Sequence, residues 1–194
     1  MSSMFDQAVA FNQPLSFDTS KVTNMERMFY AAYAFNQPLS FDTSKVTTMS
    51  WMFRSATAFN QPLSLDTSSV TDIHSMFRAA LAFNQPLDFD TSSVTAMHEM
   101  FHIASAFNQP LSFDTSKVIS MSHMFDVLDQ ASAFNQPLSF DTSKVTGMAH
   151  MFRGANALSA DIKLLIRCAW AGTFAFATTR GPSTDPKWGL LGCR

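Results

Sequence analysis

The chain has 194 residues, of which 46% are apolar and 14% are charged, and its formal net charge is −2. This apolar fraction suffices for one ordered domain, and the near-neutral charge excludes the strongly basic surface that binds nucleic acid or anionic membranes. We therefore expect no nucleic-acid partner. Residues 1–10 hold no basic segment followed by an apolar run, so no signal peptide is expected in this chain.

One short stretch of sequence is repeated along most of the chain. FNQPLSFDTSKVT is first complete at residues 11–23 and returns, with few changes, from five later phenylalanines. These are Phe35, Phe59, Phe83, Phe107 and Phe134. The period is 24 residues except at the last step. Self-similarity at such a period predicts an array of stacked units in which each unit contacts only its neighbours.

Within a unit, the spacing of apolar residues changes, which predicts two elements. Leu15 and Phe17 alternate with Ser16, the period of a strand with one buried face. From Val22 to Ala32 the apolar steps become three or four, the spacing of a helix with one apolar stripe. Between them, Asp18-Thr19-Ser20 has the side-chain oxygens of a turn and helix N-cap.

Stacking would cover the apolar side of both elements. Parallel strands about 4.8 Å apart would align identical residues in ladders, whereas helices need about 8–10 Å between axes, so the stack would curve. The predicted fold class is an α/β repeat solenoid, a right-handed curved stack of about six coils, each a short parallel strand plus a helix. The predicted ladders are Leu15, Leu39, Leu63, Leu87, Leu111 and Leu138, and Phe17, Phe41, Leu65, Phe89, Phe113 and Phe140.

The repeat MFxxAxAFNQPLSFDTSKVTxM resembles that of the BspA-like leucine-rich-repeat surface proteins, in the form rich in Met-Phe and Asp-Thr-Ser. The resemblance covers Met4 to roughly Leu158. It implies a leucine-rich-repeat-like solenoid that is displayed at the cell surface or outside the cell and takes part in adhesion or protein binding. It offers no catalytic residues to carry over.

The repeat is interrupted once and then ends. Three extra residues follow Phe125, where a loop can bulge without shifting the register. After Ala157 the repeat is lost, so we predict a repeat domain over 1–157 and a divergent cap or partly irregular tail over 158–194. The apolar stretch 162–177 is short and interrupted by Lys163 and Arg167, which argues against a membrane span. Residues 178–194 are expected to be irregular.

Four columns of repeated polar residues raise the question of chemistry. The aspartates at Asp18 and its equivalents could hold calcium, but helix capping is the favoured interpretation. His74 and His98 share one column and His123 and His150 another, and we interpret them as surface residues, because a metal site needs more ligands. The column of Asn12 and its equivalents is interpreted as an amide ladder that satisfies turn backbone. No catalytic, cofactor or metal site is predicted.

The variable positions favour a non-catalytic scaffold for protein interaction or adhesion. Tyr, Trp and Arg dominate binding hot spots, and such residues form a strip on the outer side of the predicted helices. The predicted protein-binding strip contains Arg27, Tyr30, Trp51, Arg54, Arg78 and His102. The alternative is a structural surface-coat or matrix repeat protein with no discrete ligand site, which the nearly uniform serine column at Ser16 and its equivalents would favour.

Overall fold

The computed structural model describes residues 1–127 and 132–170 and places the repeats as a stack of coils built mainly from turns. Within that part of the chain the one helix is α1, Ala160–Trp170, which follows the repeats. Neighbouring coils are joined by isolated parallel bridges at one position per coil. The bridged residues are Asn24, Thr48, Asp72, Ala96, Ser120 and Gly147.

The segment predicted to be helical is a run of overlapping turns. In residues 49–56, Met52, Arg54 and Ala56 donate their N–H groups to the carbonyls three residues earlier, at 3.0–3.2 Å. The alternate residues donate instead to the next coil, as Phe53 does to the Met76 carbonyl at 2.9 Å. We call these eight residues and their equivalents in the other coils the turn segments. The equivalents are 25–32, 73–80, 97–104 and 148–155, and the shorter 121–127. In residues 49–56, half of the N–H groups thus bond within the coil and half bond to the next coil.

Backbone geometry rules out a helix here. Trp51 and Ser55 have φ of 58° and 59°, and each is the third residue of a four-residue turn closed by the hydrogen bonds just described. Positive φ at that place is the signature of a type II turn and does not occur in a right-handed helix. The apolar spacing that predicted a helix is nevertheless real, because Met49, Met52 and Phe53 are fully buried. Overlapping turns bury the same spacing of residues without forming a helix.

The core consists of stacked aromatic rings that run the length of the array. One ladder has centroids 5.4–5.8 Å apart, and contains Phe5, Phe29, Phe53, Phe77, Phe101, Phe125 and Phe152. A second has centroids 6.0–6.3 Å apart, and contains Phe11, Phe35, Phe59, Phe83, Phe107 and Phe134. Within each coil the two ladders touch at 4.0–4.5 Å. The coils therefore stack at nearly the same spacing on both ladders.

These observations overturn the predicted α/β solenoid of strand-plus-helix coils and, with it, the leucine-rich-repeat architecture. The predicted curvature depended on helices about 8–10 Å apart on one side of the stack. Turn segments hydrogen-bond directly to the next coil, so they pack at a strand-like spacing. The geometric reason for curvature is absent from the described coils.

The predicted strand at Leu15–Phe17 is also wrong as an element, although its alternation is right. In the next coil Leu39 and Phe41 are buried and Ser40 between them is exposed. The parallel bridges fall elsewhere, at Asn24 and its equivalents. The period of two therefore identified the buried side chains but not the place where backbones pair.

The helix α1 lies against the last coil. Its Trp170 is fully buried, with its ring 6.1 Å from that of Phe152 and 6.3 Å from that of Phe140. The Trp170 indole N–H donates to the Phe140 carbonyl at 3.1 Å. At the start of the helix, the Ser159 hydroxyl accepts the Ile162 N–H at 3.3 Å. In the predicted C-terminal segment 158–194, residues 171–194 lie outside the described part of the chain. Residues 128–131, at the insertion in the repeats, lie outside it as well.

Candidate interaction face on the turn segments

Most of the second, third and sixth residues of the turn segments are at least partly exposed, while the first, fourth, fifth and eighth residues are buried. The buried exceptions in these three columns are Ser50, Ser75, His102 and Asp126. Because coils stack in register, the second, third and sixth residues form three columns, which we call the turn face. The second-residue column is Glu26, Ser50, His74, His98, Ser122 and Ala149. The third is Arg27, Trp51, Ser75, Glu99, His123 and His150. The sixth is Tyr30, Arg54, Arg78, His102, Asp126 and Arg153.

Four of the predicted strip residues form one cluster in two neighbouring coils. The Arg27 guanidinium lies 4.4 Å from the Tyr30 ring centroid and 5.8 Å from that of Trp51. The Arg54 guanidinium, from the next coil, lies 5.2 Å from the centroid of the same Tyr30 ring. All four side chains are partly exposed. We call Arg27, Tyr30, Trp51 and Arg54 the guanidinium–aromatic cluster, in which each cation is held over a ring face.

The two arginines of the cluster differ in charge compensation. Arg27 forms an ion pair with Asp6 at 2.9 Å. Arg54 makes no ion pair with any residue of 1–127 or 132–170. A guanidinium over a ring retains donors at its edge, so Arg54 can donate to an anionic or carbonyl group outside the protein.

The other two strip residues have different surroundings. Arg78 forms an ion pair with Glu99, which also accepts the Ser75 hydroxyl at 3.1 Å. Partial burial opposes ionisation of Glu99, but the Arg78 charge and these hydrogen bonds hold its pKa below the usual value. His102 is only 6% exposed. It was predicted as a surface residue of the strip, and its burial places it under the turn face instead.

All five histidines belong to the columns of the turn face, with His102 buried beneath it, and we call them the histidine row. The rings of His74 and His98 stack with centroids 4.6 Å apart. His123 lies 5.8 Å from His102 and 5.1 Å from His150. Spacing in the sequence showed which histidines share a column but not that neighbouring columns touch. Among the described residues, no three His, Cys, Asp or Glu side chains converge as a metal site would require.

The aspartate column does not cap helices, since no helix follows it. Each Asp carboxylate instead accepts the N–H of the serine two residues later, as Asp42 does from Ser44 at 3.0 Å. The equivalent acceptors are Asp18, Asp66, Asp90, Asp114 and Asp141. Hydrogen bonds from the Ser44 hydroxyl and N–H lower the pKa of Asp42, so its carboxylate is ionised at neutral pH. The column forms Asx turns.

The predicted amide ladder is confirmed. The Asn36 side-chain oxygen accepts the Asn60 N–H at 3.0 Å and the Gln61 side-chain amide at 3.1 Å. The same backbone bond is made by the side-chain oxygens of Asn12, Asn60, Asn84 and Asn108. After the last repeat, Asn135 accepts the Ser159 N–H at 2.9 Å. This column joins coils and is part of the scaffold.

Within the described residues, no helix has both the length and the apolarity needed to cross a membrane.

Comparison with known proteins adds a family but no activity. No curated protein matches the chain, and neither does any solved structure. A family described as "Mycoplasma protein of unknown function, DUF285" matches residues 1–88 and 64–165, which together span the repeats. The chain therefore belongs to the DUF285 family.

Proposed function

We propose that the protein is a non-catalytic scaffold for interaction or adhesion, and that its guanidinium–aromatic cluster contacts the partner. The observation that carries the proposal is the arrangement of Tyr30 and Trp51 with Arg27 and Arg54 on a rigid, hydrogen-bonded face. Ordered aromatic and guanidinium side chains lose little conformational entropy on binding and supply most of the energy at hot spots.

The cluster favours a partner that carries anionic or carbonyl groups. Within the cluster, Arg54 is the cation that makes no ion pair with the described residues, and the Trp51 indole N–H is a further donor. We infer that this partner is a protein or other extracellular macromolecule.

The experiment is to capture a partner from the surface and secreted fractions of the source cell with the intact chain. The capture is repeated with the double variant Trp51→Ala, Arg54→Ala and with the matched double variant Ser40→Arg, Ser64→Arg on the serine column. We expect the first variant to bind at least about tenfold more weakly than the intact chain, because it removes two hot-spot side chains. The second variant should bind normally. Thermal melts of both variants establish that the coils remain folded.

Binding lost with the serine variant alone would move the site to the serine column and contradict the proposal. The second candidate function, a coat or matrix protein without a discrete site, draws on the uniform exposed serines Ser16, Ser40, Ser64, Ser112 and Ser139. It predicts self-assembly, which sedimentation of the purified chain at rising concentration would detect, and an unchanged capture with both variants.

A further inference from the structure

The histidine row places all the imidazole groups of the chain close together. The chain has 5 histidines, and all of them lie in adjacent columns of four successive coils. Their rings contact one another in pairs, at 4.6 Å for His74 and His98 and at 5.1–5.8 Å around His123. Neutral imidazoles stack without cost, whereas imidazolium ions at these distances repel each other.

His102 is the buried member of the row. It is 6% exposed, and neither of its ring nitrogens has a hydrogen-bond partner. A neutral imidazole tolerates this environment far better than an imidazolium, which needs two acceptors for its two N–H groups. Protonation therefore requires the surrounding turn segments to open to water or to rearrange.

The charged groups that face His102 offer no ready compensation. They are Arg78, Glu99 and Asp126, together with the ring of His123. Glu99 is already paired with Arg78. Asp126 is fully buried and accepts from His123 at 2.7 Å and from Arg153 at 2.7 Å.

The same balance holds at the other end of the row. His98 faces His74, Glu99, Asp72 and His123, and the Asp72 carboxylate is taken by the His74 ring at 2.7 Å. Every carboxylate named along the row thus has a cation or imidazole partner at neutral pH. Three carboxylates and two arginines lie along the row, so one added proton balances the charge and any further proton gives the face excess positive charge.

We propose that the histidine row is an acid-sensitive latch, which keeps the turn segments of residues 73–155 closed while its imidazoles are neutral and loosens them when His102 is protonated. The latch is a property of the fold and does not depend on the proposed partner.

The direction of the pH effect follows from the burial of the ring. Burial, and then the nearby Arg78 charge, lower the pKa of His102 below its usual value. The pKa of His98 is lowered too, by burial and by His74. The unfolded chain, with a histidine pKa of about 6.5, then binds more protons than the folded chain just below that pH. The contribution of the neutral His102 to the free energy of unfolding is therefore complete above about pH 6.5. It is lost as the pH falls towards the pKa of His102 in the folded chain.

The test compares unfolding of the full chain by denaturant at pH 7.5 and pH 5.5. For the native sequence, we expect the folding equilibrium constant to fall by up to about tenfold per pH unit for each extra proton bound on unfolding. The variant His102→Leu replaces the titrating ring by an apolar side chain and should lose much of this dependence. The matched control is Arg54→Leu, two coils away in the same column, which should keep the full dependence.

Equal pH dependence in the native chain and in His102→Leu would overturn the latch. A second measurement needs no variant, and it decides the matter if His102→Leu does not fold. In an NMR titration of the native chain, the His102 ring signals should keep their neutral position as the pH falls below about 6.5, and should move only together with amide signals of residues 73–127. An ordinary titration of His102 with these amide signals unchanged would equally overturn it.

Discussion

Single side chains in this protein work as members of columns, because each coil places the same residue type at the same point. Phe77 is fully buried and has rings on three sides, with centroids at 5.7 Å for Phe53, 4.1 Å for Phe83 and 5.8 Å for Phe101. Removing one ring leaves a cavity that the neighbouring coils cannot fill, since their hydrogen bonds fix the coil spacing.

We expect Phe77→Ala to lower the free energy of unfolding by about 3–5 kcal/mol. The control is Ile119→Ala, at a side chain that is 55% exposed, which should cost less than about 0.5 kcal/mol. Equilibrium denaturation of both variants measures the difference. Similar losses from the two substitutions would show that the aromatic ladder is not the core.

At the scale of the element, the turn segment is distinguished from a helix by positive φ at regular places. Ala31, Ser55, Ala79 and Ile103 occupy the seventh position with φ between 52° and 63°, and Gly154 has the same position in the sixth coil with φ of 76°. An L-residue with a Cβ is strained at such angles and glycine is not. Among the turn segments described, glycine thus occupies the seventh position in one coil only.

Two adjacent alanines allow a direct test of this geometry. Ala79→Gly should raise the free energy of unfolding by roughly 0.5–1 kcal/mol, because strain at φ of 56° is relieved. Ala80→Gly, at a fully buried residue outside the positive-φ set, should lower it by about 1–2 kcal/mol through lost packing and added chain entropy. In a helix both substitutions would destabilise, so a loss of stability with Ala79→Gly would contradict the turns.

At the scale of the whole molecule, the hydrogen bonds that join the described coils run between neighbouring coils. Those made by the turn segments and by the asparagine ladder each link one coil to the next. Stability in such an array is a sum of weak units and strong interfaces. The end of the repeats is closed where α1 packs Trp170 on Phe152.

Deleting residues 35–58, one complete unit, should therefore leave a shorter array that folds and melts cooperatively, at a lower temperature. The register survives, because Asn12 would then face Asn60 as it now faces Asn36. The control is the 24-residue peptide 35–58 alone, which should be unfolded because it has no neighbour to bond. Circular dichroism during heating distinguishes the two. An unfolded deletion variant would show that contacts beyond nearest neighbours hold the fold.

The sequence by itself determined the period, the buried positions and the asparagine ladder, since these depend only on which residues recur in register. It did not determine whether the steps of three and four in residues 22–32 belong to a helix or to turns, because both bury the same residues. That depends on whether each N–H group bonds within its own chain segment or to the next coil, which is decided when coils stack. The same stacking brought the histidine columns into contact and buried His102, a relation between coils that spacing along one coil does not contain.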